Sequence, residues 1–106
     1  MRTVRFDEYG DYDVLKVVEV PEPAPGPGEV LVQMRAAAVN PFDDSVRRGK
    51  IAQVKPPATP GNEGTGVVVA GDGLPIGTRV MLVGPFGFGR PGTWQEYVTA
   101  VEMARF

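Results

Sequence analysis

The stretch EVLVQMRAAAVNPFDDSVRRG, residues 29–49, decides the fold, because it reads as a strand that runs directly into a short helix. In its first half the apolar side chains of Val30, Val32 and Met34 recur at every second position. A period of two is typical of a β-strand with one buried face. The pattern therefore predicts a strand over Glu29–Val39.

The second half of this stretch carries the signals of a helix start and a helix stop. Asn40 is a preferred N-cap residue, and Pro41 fits the first helical position. Asp43 falls in the first turn and Arg47 near the end, where the helix dipole favours each charge. Gly49 ends the segment. We expect a helix of barely two turns.

Short apolar segments of strand type occur on both sides of this core. They are Thr3–Phe6, Val14–Val20, Glu63–Ala70, Thr78–Val83 and Trp94–Ala100. The first two should form a hairpin around the turn Asp7–Asp13. Pro21–Gly28 (PEPAPGPG) is a rigid connection between strands, because too few residues precede it to form a domain. With 14 Gly and 11 Pro punctuating the chain, the pattern predicts one domain, residues 1–106, with a mostly β fold: a partly open β-barrel and one short helix.

Composition excludes several classes of function. The net charge of −2 gives no electrostatic footprint for nucleic acid or an anionic membrane. No apolar run is long enough to span a bilayer, and the N-terminus has no signal-peptide core, so a cytoplasmic location is expected. The chain has neither Cys nor His. Disulfides, zinc sites built from Cys and His, and Cys–His or Ser–His nucleophiles are therefore excluded.

A literal G-x-G-x-x-G occurs at Gly87–Gly92, within the predicted loop Gly84–Gly92. A dinucleotide site requires that such a loop open a helix whose N-terminus meets the pyrophosphate. Pro91 and the strand-type sequence that follows argue against that helix. We interpret the motif as a glycine-rich loop between strands and expect no complete cofactor-binding motif.

Two polar positions have a structural and a functional reading. Asn40 is either a helix cap alone or also an amide presented to a pocket. Glu63 lies in GNEGTG, Gly61–Gly66, where the glycines fit a bulge with close backbone contact. Alternatively, Glu63 is a pocket carboxylate, and burial would then require a partner such as Arg. Trp94 and Tyr97 are core or pocket aromatics.

Taken together, the ordered segments of the chain resemble the medium-chain dehydrogenase/reductase superfamily, and specifically its N-terminal GroES-like catalytic domain. The segments that carry the resemblance are PAPGPGEVLVQ (Pro23–Gln33), AVNPFDDSVR (Ala38–Arg47) with Gly49, PGNEGTGVVV (Pro60–Val69), GTRVM (Gly77–Met81) and GTWQEYV (Gly92–Val98). They span nearly the whole chain. The resemblance implies a GroES-like fold.

The branch that the chain resembles most is the zinc-independent quinone oxidoreductases. Alcohol dehydrogenases of this superfamily have a His ligand after the glycine where this chain has Asn62, so no metal is expected. The resemblance implies catalytic roles for Asn40 and Asp43. It also implies a substrate and nicotinamide cleft lined by Asn40, Phe42, Asp43, Asn62 and Glu63. Relatives often carry a Tyr where this chain has Ile51, so the resemblance supplies no tyrosine proton donor.

The implied activity is hydride transfer from NADH or NADPH to a small electron-poor substrate: a quinone, a carbonyl compound or an alkene. The family's Rossmann domain, which holds the cofactor, does not occur within these residues. It would act in cis or in trans, and we expect the isolated chain to be inactive. The alternative is a standalone GroES-like binding or interaction module without catalysis in cis. A co-chaperonin is a third hypothesis, which leaves the segment VNPFDD without a purpose.

Overall fold

A computed structural model describes residues 1–83, 86–101 and 103–105 of the chain. Its strands are β1 (Arg2–Arg5), β2 (Lys16–Glu19), β3 (Val30–Ala37), β4 (Gly64–Gly71), β5 (Arg79–Leu82), β6 (Tyr97–Ala100) and β7 (Ala104–Arg105). The helix α1 spans Pro41–Arg47, and a single 3₁₀ turn spans Tyr12–Val14. The prediction of a mostly β fold with one short helix is confirmed. The predicted loop Gly84–Gly92 begins with two residues, Gly84 and Pro85, that lie outside the described residues.

The strands form two antiparallel sheets. β1 pairs with β2, which confirms the predicted hairpin, and the second sheet has the order β6-β3-β4-β5-β7. Two isolated bridges join the hairpin to the rest of the fold, one between Thr3 and Gln95 and one between Phe6 and Ala58. The strand order of the five-stranded sheet does not close on itself within the described residues. This is the open architecture that the sequence predicts.

Glycines allow β3 and β4 to lie unusually close together at the end that leads to α1. A Cβ on Gly66 would lie 2.3 Å from the carbonyl oxygen of Gln33, and one on Gly64 would lie 2.5 Å from that of Ala36. The pairing shifts register between Met34 and Ala36. The predicted bulge with close backbone contact is therefore present, and it bends β3 as it approaches the helix.

The hydrophobic interior consists of two clusters, one under each end of the β3–α1 unit. The larger cluster packs the sheet, and its fully buried members are Val30, Val32, Val68, Val80 and Leu82. The smaller cluster lies between α1 and the hairpin and contains Phe6, Val14, Val46 and Val54. Because Val46 is 1% exposed, the inner face of α1 is anchored in this second cluster, and the polar start of the helix is held at its rim.

Several predicted strands were too long. Val14 belongs to the 3₁₀ turn and not to a strand. The Asp11 carboxylate accepts a hydrogen bond from the Tyr12 N–H at the start of this turn, and the Leu15 N–H donates to the Tyr12 carbonyl at its end. Near the other end of the chain, β6 begins only at Tyr97. The two-residue strand β7 was not predicted, since two residues carry no periodicity.

Candidate functional site

The junction between β3 and α1 places Asn40 at the N-cap with an extended backbone (φ −123°, ψ 160°). Its carbonyl oxygen accepts a hydrogen bond of 2.9 Å from the Asp43 N–H. Its side-chain amide donates to Oε1 of Glu63 at 3.0 Å. Asn40 thus starts the helix, and its amide also joins the start of α1 to the segment that enters β4.

Asp43 fastens the start of α1 to the glycine-rich entry of β4. Its side chain is only 2% exposed. Oδ2 accepts from the Asn40 N–H at 2.7 Å, and Oδ1 accepts from the Gly61 N–H at 3.1 Å. Burial raises the pKa of Asp43, the two backbone hydrogen bonds oppose that rise, and the nearby Glu63 charge adds to it. Both oxygens are engaged by backbone, so this carboxylate holds the site together.

Glu63 has a partner, and it is not the arginine that the sequence suggested. The residue is half-buried, and its carboxylate accepts from the Asn40 amide. Its backbone carbonyl accepts from the Thr93 hydroxyl at 2.9 Å and from the Ala38 N–H at 3.0 Å. An amide is uncharged, so this contact is a hydrogen bond, whereas an arginine would have formed an ion pair.

Asn62 and Phe42 connect the site to the glycine-rich loop. The Asn62 amide donates to the carbonyl oxygen of Phe86 at 2.6 Å. The rings of Phe42 and Phe88 lie 6.1 Å apart, centroid to centroid, and are tilted by 57°. The G-x-G-x-x-G segment that these contacts hold opens no helix, which agrees with its interpretation as a loop. The structure therefore places all five predicted cleft residues around α1 and the entry of β4.

A groove of about 310 Å³ runs along the outer side of Asn40. We call it the helix groove; its lining residues include Tyr12, Leu15, Val39, Asn40, Asp43 and Trp94. Phe42, Asn62 and Glu63 are not among its lining residues, so the helix groove contains only Asn40 and Asp43 of the five predicted cleft residues. Trp94 is half-buried and donates from Nε1 to the Ala38 carbonyl at 2.9 Å.

Arg47 is the member of the site that sequence reasoning missed. It was interpreted only as a dipole-favoured charge, yet its side chain is 5% exposed. The guanidinium bonds Asp44 and the carbonyl oxygen of Gly10, and lies 4.2 Å from the ring centroid of Tyr12. Only the hairpin's return onto α1 brings these groups together, and no local pattern indicates it.

The site offers amide and carboxylate groups and no soft metal donor. The described residues contain no group of three or more His, Cys, Asp or Glu able to hold a metal ion. Zinc prefers thiolate and imidazole ligands, which a chain without Cys and His does not have.

Within the described part of the chain, no helix is long and apolar enough to cross a membrane.

The fold and this site define a class of protein, the N-terminal domains of medium-chain dehydrogenases and reductases. The sequence profile of the alcohol dehydrogenase GroES-like domain matches residues 26–105. The chain belongs to this family.

Three similar proteins illustrate the relationship. The human synaptic vesicle membrane protein VAT-1 homolog is 38% identical over 113 aligned residues, which cover 100% of this chain and 28% of that protein. The quinone oxidoreductase from Coxiella burnetii superposes with a TM-score of 0.85 at 29% identity, covering 94% of this chain and 34% of that one. A mycobacterial protein solved in complex with NADPH superposes with a TM-score of 0.82 at 32% identity, covering 100% of this chain and 32% of that one. The chain thus spans about a third or less of the length of each relative.

Proposed function

We propose that this chain is the substrate-binding and catalytic domain of a zinc-independent, NAD(P)H-dependent oxidoreductase of the quinone reductase type. The observation that carries the proposal is the contact between the Asn40 amide and Glu63 at the turn from β3 into α1. Asn40 also lines the helix groove, beside the apolar side chains of Leu15 and Val39. A few convergent polar groups in an apolar cleft are typical of a small-molecule site.

Asn40 is the residue that we propose contacts the substrate. A side-chain amide has two N–H donors and a carbonyl acceptor, and Glu63 takes only one of the donors. The second donor can bind the oxygen of a quinone or another carbonyl, the atom on which negative charge develops during reduction. The Glu63 carboxylate fixes the orientation of the amide.

Asp43 is proposed as a positioning residue. Its two oxygens bind the backbone N–H groups of Asn40 and Gly61, so it acts on the substrate only through the backbone that it holds. Together with the half-buried Phe42, it keeps the β3–α1 turn rigid. Catalysis that relies on positioning and water exclusion depends on such rigidity.

The nicotinamide cofactor, when bound, would supply the hydride. The one glycine fingerprint in this chain, Gly87–Gly92, opens no helix and offers no pyrophosphate site of the dinucleotide type. We therefore propose that a nucleotide-binding domain, in cis or in trans, holds NADH or NADPH against this domain. The proton would come from solvent or from a side chain other than Cys or His, which the chain does not have.

Tryptophan fluorescence tests the substrate site when it is combined with a variant of Asn40, since Trp94 is the only tryptophan and lines both the helix groove and a larger groove next to it. Titration with menadione, a quinone, should quench Trp94 saturably. Asn40→Ser removes the amide and keeps a good N-cap residue, and it should weaken binding about tenfold. The exposed amide variant Gln53→Ser is the control and should bind as the unmodified chain does. Equal saturable quenching in both variants, with both folded by circular dichroism, would reject the role of Asn40.

A standalone interaction module remains the second candidate, because the chain has a larger apolar groove of about 490 Å³ between β1, β3 and the segment before β6. Two valines that line this groove are largely exposed to solvent, Val17 at 67% and Val39 at 77%. Self-association that Val17→Ser abolishes, without any quinone binding, would favour this candidate. The cytoplasmic location of this chain stays a prediction. One similar protein is named for the synaptic vesicle membrane.

A further inference from the structure

Another groove lies beside the glycine-rich loop, where Gly87, Gly89 and Arg90 line it, and none of its lining residues lines the helix groove. We call it the basic groove; among its lining residues are Arg5, Lys55, Thr59, Gly89 and Arg90. Its volume is about 490 Å³, which falls within the range of about 300–1,000 Å³ that small-molecule sites occupy.

The charged side chains that line the basic groove are all cations, Arg5, Lys55 and Arg90. The chain as a whole has 13 acidic and 11 basic residues, so this lining runs against the overall charge. Arg5 bonds Asp7 at 2.8 Å. Within the described part of the chain, Lys55 and Arg90 form no ion pair with a carboxylate. A groove that collects unpaired cations has a positive potential, which attracts anions.

Arg90 is held in place before any ligand binds. Its guanidinium carbon lies 3.7 Å from the centroid of the Phe86 ring. Stacking of this kind orders the planar fork of donors. An ordered side chain loses less conformational entropy when it binds an anion. Phe86 is itself 1% exposed, so the platform beneath the guanidinium is rigid.

The loop backbone adds donors to the same wall. Gly87 and Gly89 adopt positive φ values of +75° and +79°, and successive N–H groups in such turns form concave anion sites. Among the described residues, no hydrogen bond uses the backbone N–H of Phe88, Gly89 or Arg90. A Cβ placed on Gly89 would meet nothing within 4 Å, so the space in front of this backbone is open.

We propose that the basic groove binds the phosphate group of a small, soluble phosphate ester. A phosphate has several oxygens and accepts hydrogen bonds from several directions, and guanidinium, ammonium and backbone N–H donors all line this wall. The volume exceeds that of a phosphate and leaves room for the organic part of the ligand. The site is separate from Asn40, so this inference does not rest on the proposed oxidoreductase function.

The test is a titration of the isotope-labelled chain with glycerol 3-phosphate, followed by the backbone amide signals in NMR spectra. We expect saturable shifts centred on Gly89, Arg90 and Lys55. Arg90→Gln should weaken the affinity about tenfold, and Lys55→Gln should weaken it less. The matched control is Arg35→Gln, which removes an exposed arginine that lines the separate apolar groove and should change the affinity less than twofold. High salt should weaken binding through screening.

Two outcomes would overturn the proposal. The first is shifts spread over the whole surface, with equal affinity for the Arg90→Gln and Arg35→Gln variants. The second is binding to phosphatidylcholine vesicles that contain phosphatidic acid, without any saturable response to glycerol 3-phosphate, because the phosphate source would then be a lipid headgroup. Circular dichroism of each variant verifies that the fold persists. Neither outcome bears on menadione binding at Asn40.

Discussion

At the scale of single residues, Asn40 and Asp43 show how one position serves fold and site together. The backbone of Asn40 begins α1, while its amide reaches Glu63 at 3.0 Å. Asp43 is almost completely buried because two backbone N–H groups compensate its carboxylate. Replacement of either residue therefore changes the geometry of the turn as well as its chemistry.

The raised pKa of Asp43 makes the stability of the fold depend on pH. A carboxyl whose pKa is higher in the folded state than in the unfolded state keeps its proton to a higher pH when the chain is folded. The folded chain then binds more protons in that interval, and stability falls as pH rises from the ordinary Asp value near 3.8 through the raised value. We expect the advantage of the unmodified chain over Asp43→Asn, measured by urea unfolding, to shrink over this interval.

The control for this measurement is Asp13→Asn, which changes an exposed carboxylate of the 3₁₀ turn. This variant should not show the shrinking difference that is expected for Asp43→Asn. An advantage over Asp43→Asn that grows with pH would show that the hydrogen bonds from Asn40 and Gly61 outweigh burial.

At the scale of elements, the site depends on close packing of β3 against β4 and of α1 against the hairpin. The glycines of β4 allow the first contact, and Arg47 secures the second. Neither contact touches the Asn40 amide, yet both fix the turn that presents it. Substitutions in these elements should therefore act on stability first.

Gly66→Ala should destabilise the domain by about 1–3 kcal/mol, the usual cost of forcing an extra carbon into a packed interior. The added Cβ would lie 2.3 Å from the Gln33 carbonyl oxygen and 2.6 Å from Val32 Cγ1. Urea denaturation measures the change. Gly26→Ala is the matched control, because its Cβ would meet only the flexible Glu29 side chain at 3.1 Å. Equal midpoints for the two variants would contradict the close strand contact.

Arg47→Ala should cost about 1.5–3 kcal/mol of stability, since it removes hydrogen bonds from a charged group to Gly10 and Asp44. The neighbouring Arg48→Ala removes an exposed ion pair of 3.6 Å to the same aspartate and should cost about 0.5 kcal/mol or less. Thermal unfolding of the two variants gives the comparison. If they unfold alike, the guanidinium does not secure the hairpin.

At the scale of the whole molecule, the domain presents the helix groove and a separate basic groove, which share no lining residue. It belongs to a family whose matched members are roughly three times as long or longer. The described residues build no dinucleotide site. Under the function that we propose, activity requires a second component to hold the cofactor.

The isolated chain should oxidise NADPH in the presence of menadione no faster than buffer does. The measurement is the decrease in NADPH absorbance, with the Asn40→Ser variant as control. Stoichiometric hydride transfer by the chain alone, lost in that variant, would show that it holds the cofactor by itself and would overturn our division of roles.

Much of the fold follows from sequence, because its signals are local. The alternation of Val30, Val32 and Met34 predicts β3, and the succession Asn40-Pro41 with Gly49 predicts α1. Both elements are present. The ends of strands were less well predicted, as at Val14, where a side-chain hydrogen bond from the Tyr12 N–H to Asp11 favours a turn.

For the candidate site too, one part could be predicted from the sequence and another part could not. Sequence by itself determined which residue types are available: amides and carboxylates, without thiol or imidazole, around a strand-to-helix turn. Only the tertiary structure decided their partners, giving Glu63 an amide instead of an arginine and burying Arg47 against Gly10. The physical reason is distance along the chain. Residues separated by 23 or 37 positions meet only after sheet pairing and helix packing have fixed the backbone, and no local periodicity encodes that meeting.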